Sequence, residues 1–332
     1  MLWLKLATGG TPLSATAAPV STAPTDASLV EAISVDTVDQ IERLSTLSGH
    51  SDHVYGLAFS GDGSKLASTS ADKTIRSWDV ASGQVGHTFS IREVAFNAIA
   101  LSPDGRLLAA AQAIWDVESG QMIHALTQAP ASVAFSPDGS ILAVAGPEQP
   151  IKLWDVTSGQ VVYTLDNETV DVTHDIDFSP DGTRLAIGGH RYDGTVVHGM
   201  VTVWQVQNGQ FMPSFEQEVT EGIHSVAFSP DGHLLASAGT EGTTGLWDVA
   251  TGKAVHTLHG NSCYDVVFSP DGSLLATSGC DLTVKLWEVA SGRLVRTLPH
   301  GCEVVSVVFS LDGTLLAAGG YDHQIHLWGV PR

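Results

Sequence analysis

Seven times along this chain an apolar run ends in a five-residue turn phrase, and each time a tryptophan follows. The phrase Phe-Ser-Pro-Asp-Gly is complete at Phe135, Phe178, Phe228 and Phe268. It is altered at Phe59 (Phe-Ser-Gly-Asp-Gly), Leu101 (Leu-Ser-Pro-Asp-Gly) and Phe309 (Phe-Ser-Leu-Asp-Gly). The tryptophans are Trp78, Trp115, Trp154, Trp204, Trp247, Trp287 and Trp328, spaced by 37, 39, 50, 43, 40 and 41 residues. A unit of that length cannot bury its apolar face alone, so copies must pack on one another.

The residue types assign roles within a unit. An apolar strand (Asp265-Val266-Val267-Phe268 in the sixth copy) enters the turn, where Pro sets φ, Asp bonds locally and Gly accepts positive φ. Leu274-Leu275-Ala276 reads as a buried second strand, and Thr283 to Trp287 alternates like a third. A second Gly turn, as at Ser82-Gly83 or Ser291-Gly292, starts an outer fourth strand.

Four tryptophans are followed by aspartate: Trp78-Asp79, Trp115-Asp116, Trp154-Asp155 and Trp247-Asp248. With the period, this dipeptide makes residues 38–330 resemble the WD-repeat family, the uniform turn phrases being similar to its bacterial members. The resemblance implies an all-β, seven-bladed β-propeller with four antiparallel strands per blade, spanning 34–332. The chain stops at Trp328-Gly329-Val330-Pro331-Arg332, before a fourth strand of the last copy, whereas Ile41 to Leu47 matches the fourth strand Gly292 to Leu298. An N-terminal strand is therefore expected to close the last blade, because an open ring exposes sheet edges.

Residues 1–33 read as a disordered tail, with Ser14 to Ala27 rich in Ala, Ser, Thr and Pro and too poor in large apolar groups to offset the entropy of ordering. Met1 to Ala7 has a signal-peptide flavour but lacks a basic start, and Lys5 interrupts its apolar run. Ser34 is the expected N-cap of a helical turn ending at Gln40. The three cysteines, Cys263, Cys280 and Cys302, fit a reducing, cytoplasmic setting better than a disulfide framework, with export the alternative if the true start lies upstream. A formal charge of −21, from 36 acids and 15 basic residues, argues against a nucleic-acid partner. No apolar run reaches the ~20 residues of a membrane span.

In the family, a Gly-His, a Ser or Thr on the second strand, an Asp before the third strand and the Trp form a buried hydrogen-bond set. Only the first copy has all of it, with His50, Ser68 or Ser70, Asp72 and Trp78. Asp281 with Trp287 and Asp322 with Trp328 keep the spacing, Glu241 replaces the Asp in the fifth copy, and copies two to four lack it. His50 thus reads as structural, and blades two to four as held by apolar packing.

Function is sought where the repeat departs from itself. Turn Gly and Trp stand 15 residues apart in five copies, but Gly105 to Trp115 is 10 and Gly182 to Trp204 is 22. The first leaves Ala109 to Ala113 cramped; the second inserts seven residues around His190, Tyr192, Asp193 and His198, read as a loop. By family analogy the top face holds the partner, through His53, Tyr55, Asn97, His174, His190, Tyr192, His224, Tyr264 and Tyr321. Aromatic and His side chains make good anchors, since they bury large area with few torsions.

No nucleophile elbow or phosphate-cradling loop is present in the sequence. The expectation is a non-catalytic scaffold without cofactor or metal: a monomeric propeller within a larger assembly, binding a protein or peptide. The alternative is a ligand-binding or enzymatic propeller with a His-rich site around His174, His190, His198 and His224. Two smaller chemical readings are a metal held by His190, Asp193 and His198, and a thiolate site or one disulfide among Cys263, Cys280, Cys302 and His300.

Overall fold

The computed structural model describes residues 30–91, 98–128, 130–146, 149–165, 170–206, 215–217, 222–239, 242–260 and 263–332. They form seven antiparallel sheets, one per blade, each with four strands a to d in order from the axis outward, the last carrying a short fifth strand, Val30–Glu31. Blade 1 is Val54–Phe59, Lys65–Ser70, Thr74–Asp79 and Val85–Ser90. Blade 6 is Cys263–Phe268, Leu274–Gly279, Thr283–Glu288 and Arg293–Pro299. Each a strand packs against the next, and Val304–Phe309 of blade 7 returns to Val54–Phe59 of blade 1, so the ring is closed. Among the described residues no helix is long and apolar enough to cross a membrane.

The turn phrase is a complete hydrogen-bonding device. In every copy the buried Ser donates to the Asp two residues on, as Ser269 Oγ does to Asp271 Oδ1 at 2.6 Å. That Ser Oγ also accepts the amide that opens strand b, Leu274 N at 2.9 Å in blade 6. Gly272 sits at φ 72°, left-handed backbone that a Cβ would disfavour. The Asp of the Trp-Asp dipeptide plays a parallel part in the next turn. Asp79 Oδ1 accepts Ser82 N at 2.8 Å and Ser82 Oγ at 2.6 Å, fixing the passage from c to d.

The core is divided into seven apolar clusters, one between each pair of neighbouring blades. Each blade's Trp packs into the interface with the preceding blade. Trp287, for example, meets Ala238, Leu246 and Leu258 of blade 5. Small residues on strand b, such as Ala236 and Ala276, are fully buried and let the sheets approach.

Blade 7 consists of Val304–Phe309, Leu315–Gly320, Gln324–Pro331 and, from the other end of the chain, Glu42–Ser48. The N-terminal strand pairs antiparallel with Gln324–Pro331: Arg43 lies opposite Trp328, Ser45 opposite Leu327 and Leu47 opposite Ile325. It carries the same register shift beside the Trp as the d strands of blades 1 and 6. Of the expected tail, residues 1–29 lie outside the described residues, while 30–33 belong to the body. Val30 and Glu31 pair with Pro331 and Val330, and Ile33 is buried, so apolar packing carries the propeller past the expected boundary. The helical turn is a short 3₁₀ segment, Val38–Gln40, preceded by Thr37 in place of Ser34. Thr37 Oγ1 accepts Ser34 N at 3.0 Å and donates to Ala32 O at 2.7 Å, which draws the turn forward.

The clipped second copy keeps all four strands by shortening them. Leu107–Ala110 and Ala113–Asp116 are joined by only two residues, and Ala111 is forced to φ 51°. The seven-residue insertion of the fourth copy is not a loop, as the sequence suggested. It extends strands b and c, Arg184–Tyr192 and Val197–Gln205, which stay paired out to Tyr192 opposite Val197. Asp193 Oδ1 closes that hairpin by accepting Thr195 N, Thr195 Oγ1 and Val196 N.

Leu47 is buried in the cluster that joins blades 7 and 1. Leu47→Ala is expected to lower the unfolding free energy by about 2–5 kcal/mol in urea titration. Val162→Ala, on the exposed d strand of blade 3, should change it by roughly 0.5 kcal/mol or less. Equal effects of the two would contradict closure by the N-terminal strand.

Candidate functional site

The antiparallel topology puts the a–b and c–d turns on one face and the b–c turns with the d–a links on the other, which is the upper face. At the upper end of blade 1 the polar set of the first copy is joined. His50 Nδ1 lies 2.9 Å from Asp72 Oδ2, His50 Nε2 2.7 Å from Ser68 Oγ, and Trp78 Nε1 donates to Ser68 Oγ at 2.8 Å. Ser68 fills the hydroxyl position; Ser70 instead bonds Asp52 O. Burial lowers the His50 pKa although Asp72 opposes it. Burial also works against the Asp72 charge, but bonds from Thr74, His50 and Ser51 outweigh it and hold the carboxyl at about 2.

Asp281 and Asp322 belong to different arrangements from the one the spacing suggested. Asp281 Oδ2 pairs with Lys285, while Trp287 Nε1 donates to Thr277 at 3.0 Å. Asp322 Oδ2 takes His326 Nε2 at 2.7 Å, and Trp328 Nε1 is buried without an acceptor. Trp328 lacks an acceptor because Ala318 stands on strand b where Ser68 and Thr277 supply a hydroxyl. Val144 and Ala110 hold that position in blades 3 and 2, where Trp154 and Trp115 likewise lack an acceptor. Glu241 lies outside the described residues.

Four of the nine surface candidates gather at the upper ends of blades 1, 6 and 7. His53 stacks on Tyr321 with ring centroids 4.2 Å apart, and Tyr55 stands edge-on to His53 at 6.3 Å. Next to them Tyr264 OH donates to Glu303 Oε2 at 3.3 Å and accepts Cys280 Sγ at 2.9 Å. Burial, with Cys280 and Glu303 close by, pushes the Tyr264 phenol well above its ordinary range. His323, 5.2 Å from the His53 ring, and Glu303 were missed in the sequence. Their signal was weak but present, since each lies within two residues of a b–c turn or d–a link position already singled out.

Three further candidates form a second group across blades 4 and 5. His174 Nε2 lies 3.0 Å from His190 Nδ1, and the His174 and His224 rings are 5.2 Å apart. Burial and the two neighbouring imidazoles lower the His174 pKa to about 4. Tyr192, 57% exposed, stands at the hairpin tip. Asn97 lies outside the described residues.

Directly opposed residues in a sheet share a face. His198 opposes Arg191 and Gly199 opposes His190, so His190 and His198 point to opposite sides, and Asp193 joins only His198, at 3.1 Å. The reading of one metal held by all three is therefore corrected. Cys280 and Cys302 are free thiols, so they form no bridge with each other. The side chain of Cys263 lies outside the described residues.

Three acids on the a strands, not singled out in the sequence, tie neighbouring blades together around the central channel. Asp175 of blade 4 accepts Ser132 Oγ of blade 3 at 2.7 Å and Val226 N of blade 5 at 2.9 Å. Asp265 of blade 6 accepts Ser225 Oγ of blade 5 and both Ser306 Oγ and Val307 N of blade 7. Asp177 accepts Phe228 N at 2.8 Å. They line a cavity of about 680 Å³ along the axis. Burial raises all three carboxyl pKa values, to about 7 for Asp175 and Asp177.

This geometry agrees with the comparisons to known proteins. The profile "WD domain, G-beta repeat" matches residues 41–79, 159–198, 252–288 and 292–329, and its first match joins the N-terminal strand to blade 1 as one repeat. The chain belongs to the WD-repeat family. A second profile, "Anaphase-promoting complex subunit 4 WD40 domain", matches residues 190–267. The propeller is 30% identical over 156 residues to pre-mRNA-processing factor 19 homolog 2 of Arabidopsis thaliana, which covers 43% of this chain and 30% of that protein. It is 42% identical over 64 residues to a WD repeat-containing protein of Synechocystis sp., 19% of this chain and 18% of the other. It is 35% identical over 106 residues to eukaryotic translation initiation factor 3 subunit I of Aspergillus fumigatus, 30% and 31%. The WD-repeat chain thus spans less than a third of the length of each of these relatives, which come from a plant, a cyanobacterium and a fungus.

An Asp whose pKa is raised by folding takes up its proton earlier in the folded state, so its contribution is present at low pH and is lost as pH rises from about 4 through about 7. His174, whose pKa is lowered to about 4, acts in the opposite sense between about 4 and 6.5. The clean measurement is therefore a difference. The melting temperature of Asp175→Asn/Asp177→Asn minus that of the unmodified protein is expected to increase as pH is raised from 5 to 8. A pH-independent difference would show that these carboxyls are ionised throughout.

Proposed function

We propose that this WD-repeat propeller is a non-catalytic interaction platform, and that a protein or peptide partner docks on the upper face where blades 6, 7 and 1 meet. The observation that carries the reading is the aromatic group of His53, Tyr55, Tyr264 and Tyr321. Its members come from three blades, yet they converge at one seam, with Tyr321 36% exposed. Aromatic rings held by neighbours bury large area at little entropic cost and are the residue types that dominate interface energetics. Carboxylates at Asp52 and Glu303 flank the rings. Together with a formal charge of −21, they favour a segment bearing a Lys or Arg that can lie over an aromatic face.

Two features support a binding role over catalysis. The Ser residues of the turn phrases are engaged on both sides, as donors to Asp and acceptors of backbone amides, so they are fixed as frame. Matched proteins also include, by name, a subunit of a translation initiation factor, and a matched profile is that of a subunit of the anaphase-promoting complex. Membership of a multi-protein assembly is the property we extend to this chain.

The test is affinity capture with the partner identified by mass spectrometry and then titrated as a purified component. His53→Ala, Tyr264→Ala and Tyr321→Ala should each weaken binding about tenfold or more. Leu311→Asp, on an exposed turn of the lower face, should leave it unchanged. The reverse pattern would place the partner elsewhere.

A further inference from the structure

At the upper end of blade 7 three side chains of different chemistry bring one donor atom each to a single point. His300 and Cys302 lie on the d–a link that enters the blade, and Asp322 on its b–c turn. His300 Nδ1 is 3.3 Å from Cys302 Sγ and 3.8 Å from Asp322 Oδ2, and the three donor atoms lie within 4.8 Å of one another. Zinc bonds of about 2.0–2.3 Å in a tetrahedron require donor atoms about 3.3–3.7 Å apart. The two distances from His300 Nδ1 are within a few tenths of an ångström of that requirement, and the Cys302 Sγ–Asp322 separation, at most 4.8 Å, closes by small rotation of the two side chains on binding. We infer that His300, Cys302 and Asp322 form a site for a borderline-soft divalent cation, Zn²⁺ in the first instance, with a fourth position open to water or to a donor group from outside.

The surroundings orient each group toward a shared ion. His300 Nε2 is directed at the buried carbonyl of Ala318, 3.4 Å away; this bond places the proton on Nε2 and leaves the Nδ1 lone pair facing Cys302 and Asp322. The backbone amide of Asp322 donates to Cys302 Sγ at 3.2 Å, while the free thiol donates to Glu303 O at 3.4 Å and its pKa is pushed up to about 11 by burial and the Asp322 carboxylate, so an arriving cation must displace its proton. Asp322 Oδ2 is steadied by His326 Nε2 at 2.7 Å, and the other nitrogen of His326 faces Arg43 at 3.1 Å. The support of the site thus reaches the N-terminal strand. Binding replaces the S–H bond of Cys302 by a metal–thiolate bond and releases the proton to solvent. A bound ion would fasten the blade 6–7 link to the b–c turn of the blade whose fourth strand comes from the other end of the chain.

The experiment uses the untagged full chain, stripped of metal with a chelator and titrated with Zn²⁺ and, separately, with Co²⁺. One equivalent is expected to bind, with a near-ultraviolet sulfur-to-cobalt charge-transfer band and a rise in melting temperature. Cys302→Ser should abolish the band, whereas Cys280→Ser should retain it. His326→Gln, which touches only the support, should weaken binding about 10–100-fold. Should Cys302→Ser fail to fold, Asp322→Asn serves as the second test and should weaken binding at least about tenfold. Absence of stoichiometric binding, a band that survives Cys302→Ser, or binding that is lost only on His323→Ala would overturn the assignment. The last outcome would move the ion to the neighbouring group of Asp52, His53 and His323.

Discussion

Each blade is a separate sheet that needs its own outer strand, and here the last blade takes that strand from the opposite end of the chain. Glu42–Ser48 supplies the hydrogen bonds that Gln324–Pro331 would otherwise offer to solvent or to another molecule. That strand brings Leu47 into the cluster between blades 7 and 1, and the residues leading into it bring Ile33, Val38 and Ile41 into the one between blades 6 and 7. Backbone pairing and apolar burial are therefore joined at one seam. Because each interface is a separate small core, an unclosed ring would lose one whole core, not a fraction of a shared one.

Within each blade the aspartates act locally. One set folds back on Ser Oγ in the turn phrase, another caps the c–d turn, and a third joins neighbouring blades along the channel wall. A large part of the acidic excess is thus committed to the frame. Tryptophan contributes mainly by filling the interface with the preceding blade. Its hydrogen bond to a strand b hydroxyl, present for Trp78, Trp247 and Trp287, is replaced by bare packing for Trp115, Trp154 and Trp328.

The fold was legible because it is built from signals of short range repeated seven times: turn residues at fixed offsets, a Trp at a fixed period, and a spare strand whose sequence copies Gly292 to Leu298. The site was legible only in part. His53 and Tyr321 are 268 positions apart, and nothing local in either stretch announces that their rings stack. The insertion of the fourth copy was misread as a loop because Gly-rich sequence signals turns, whereas long hairpins tolerate Gly where a neighbour comes close; Gly189 faces the Val172 carbonyl. Asp322 fits the spacing of the first copy's hydrogen-bond set, but one Ala on strand b and one His on strand c redirect it to His326. The channel acids were invisible because their partners are backbone amides and Ser hydroxyls of the neighbouring blades, about 40–50 positions away.

Upper-face aromatic rings, the His300–Cys302–Asp322 group and the closing strand all lie around the same seam, so the proposed binding surface and the proposed cation site both depend on its rigidity. Native-state hydrogen exchange measures that rigidity most directly. Amides shared between Glu42–Ser48 and Gln324–Pro331 should exchange as slowly as those shared between Thr283–Glu288 and Arg293–Pro299 in blade 6, and only through global unfolding. Exchange at the seam that is orders of magnitude faster than in blade 6, with the rest of the propeller protected, would contradict closure by the N-terminal strand as the constraint on which this structure rests.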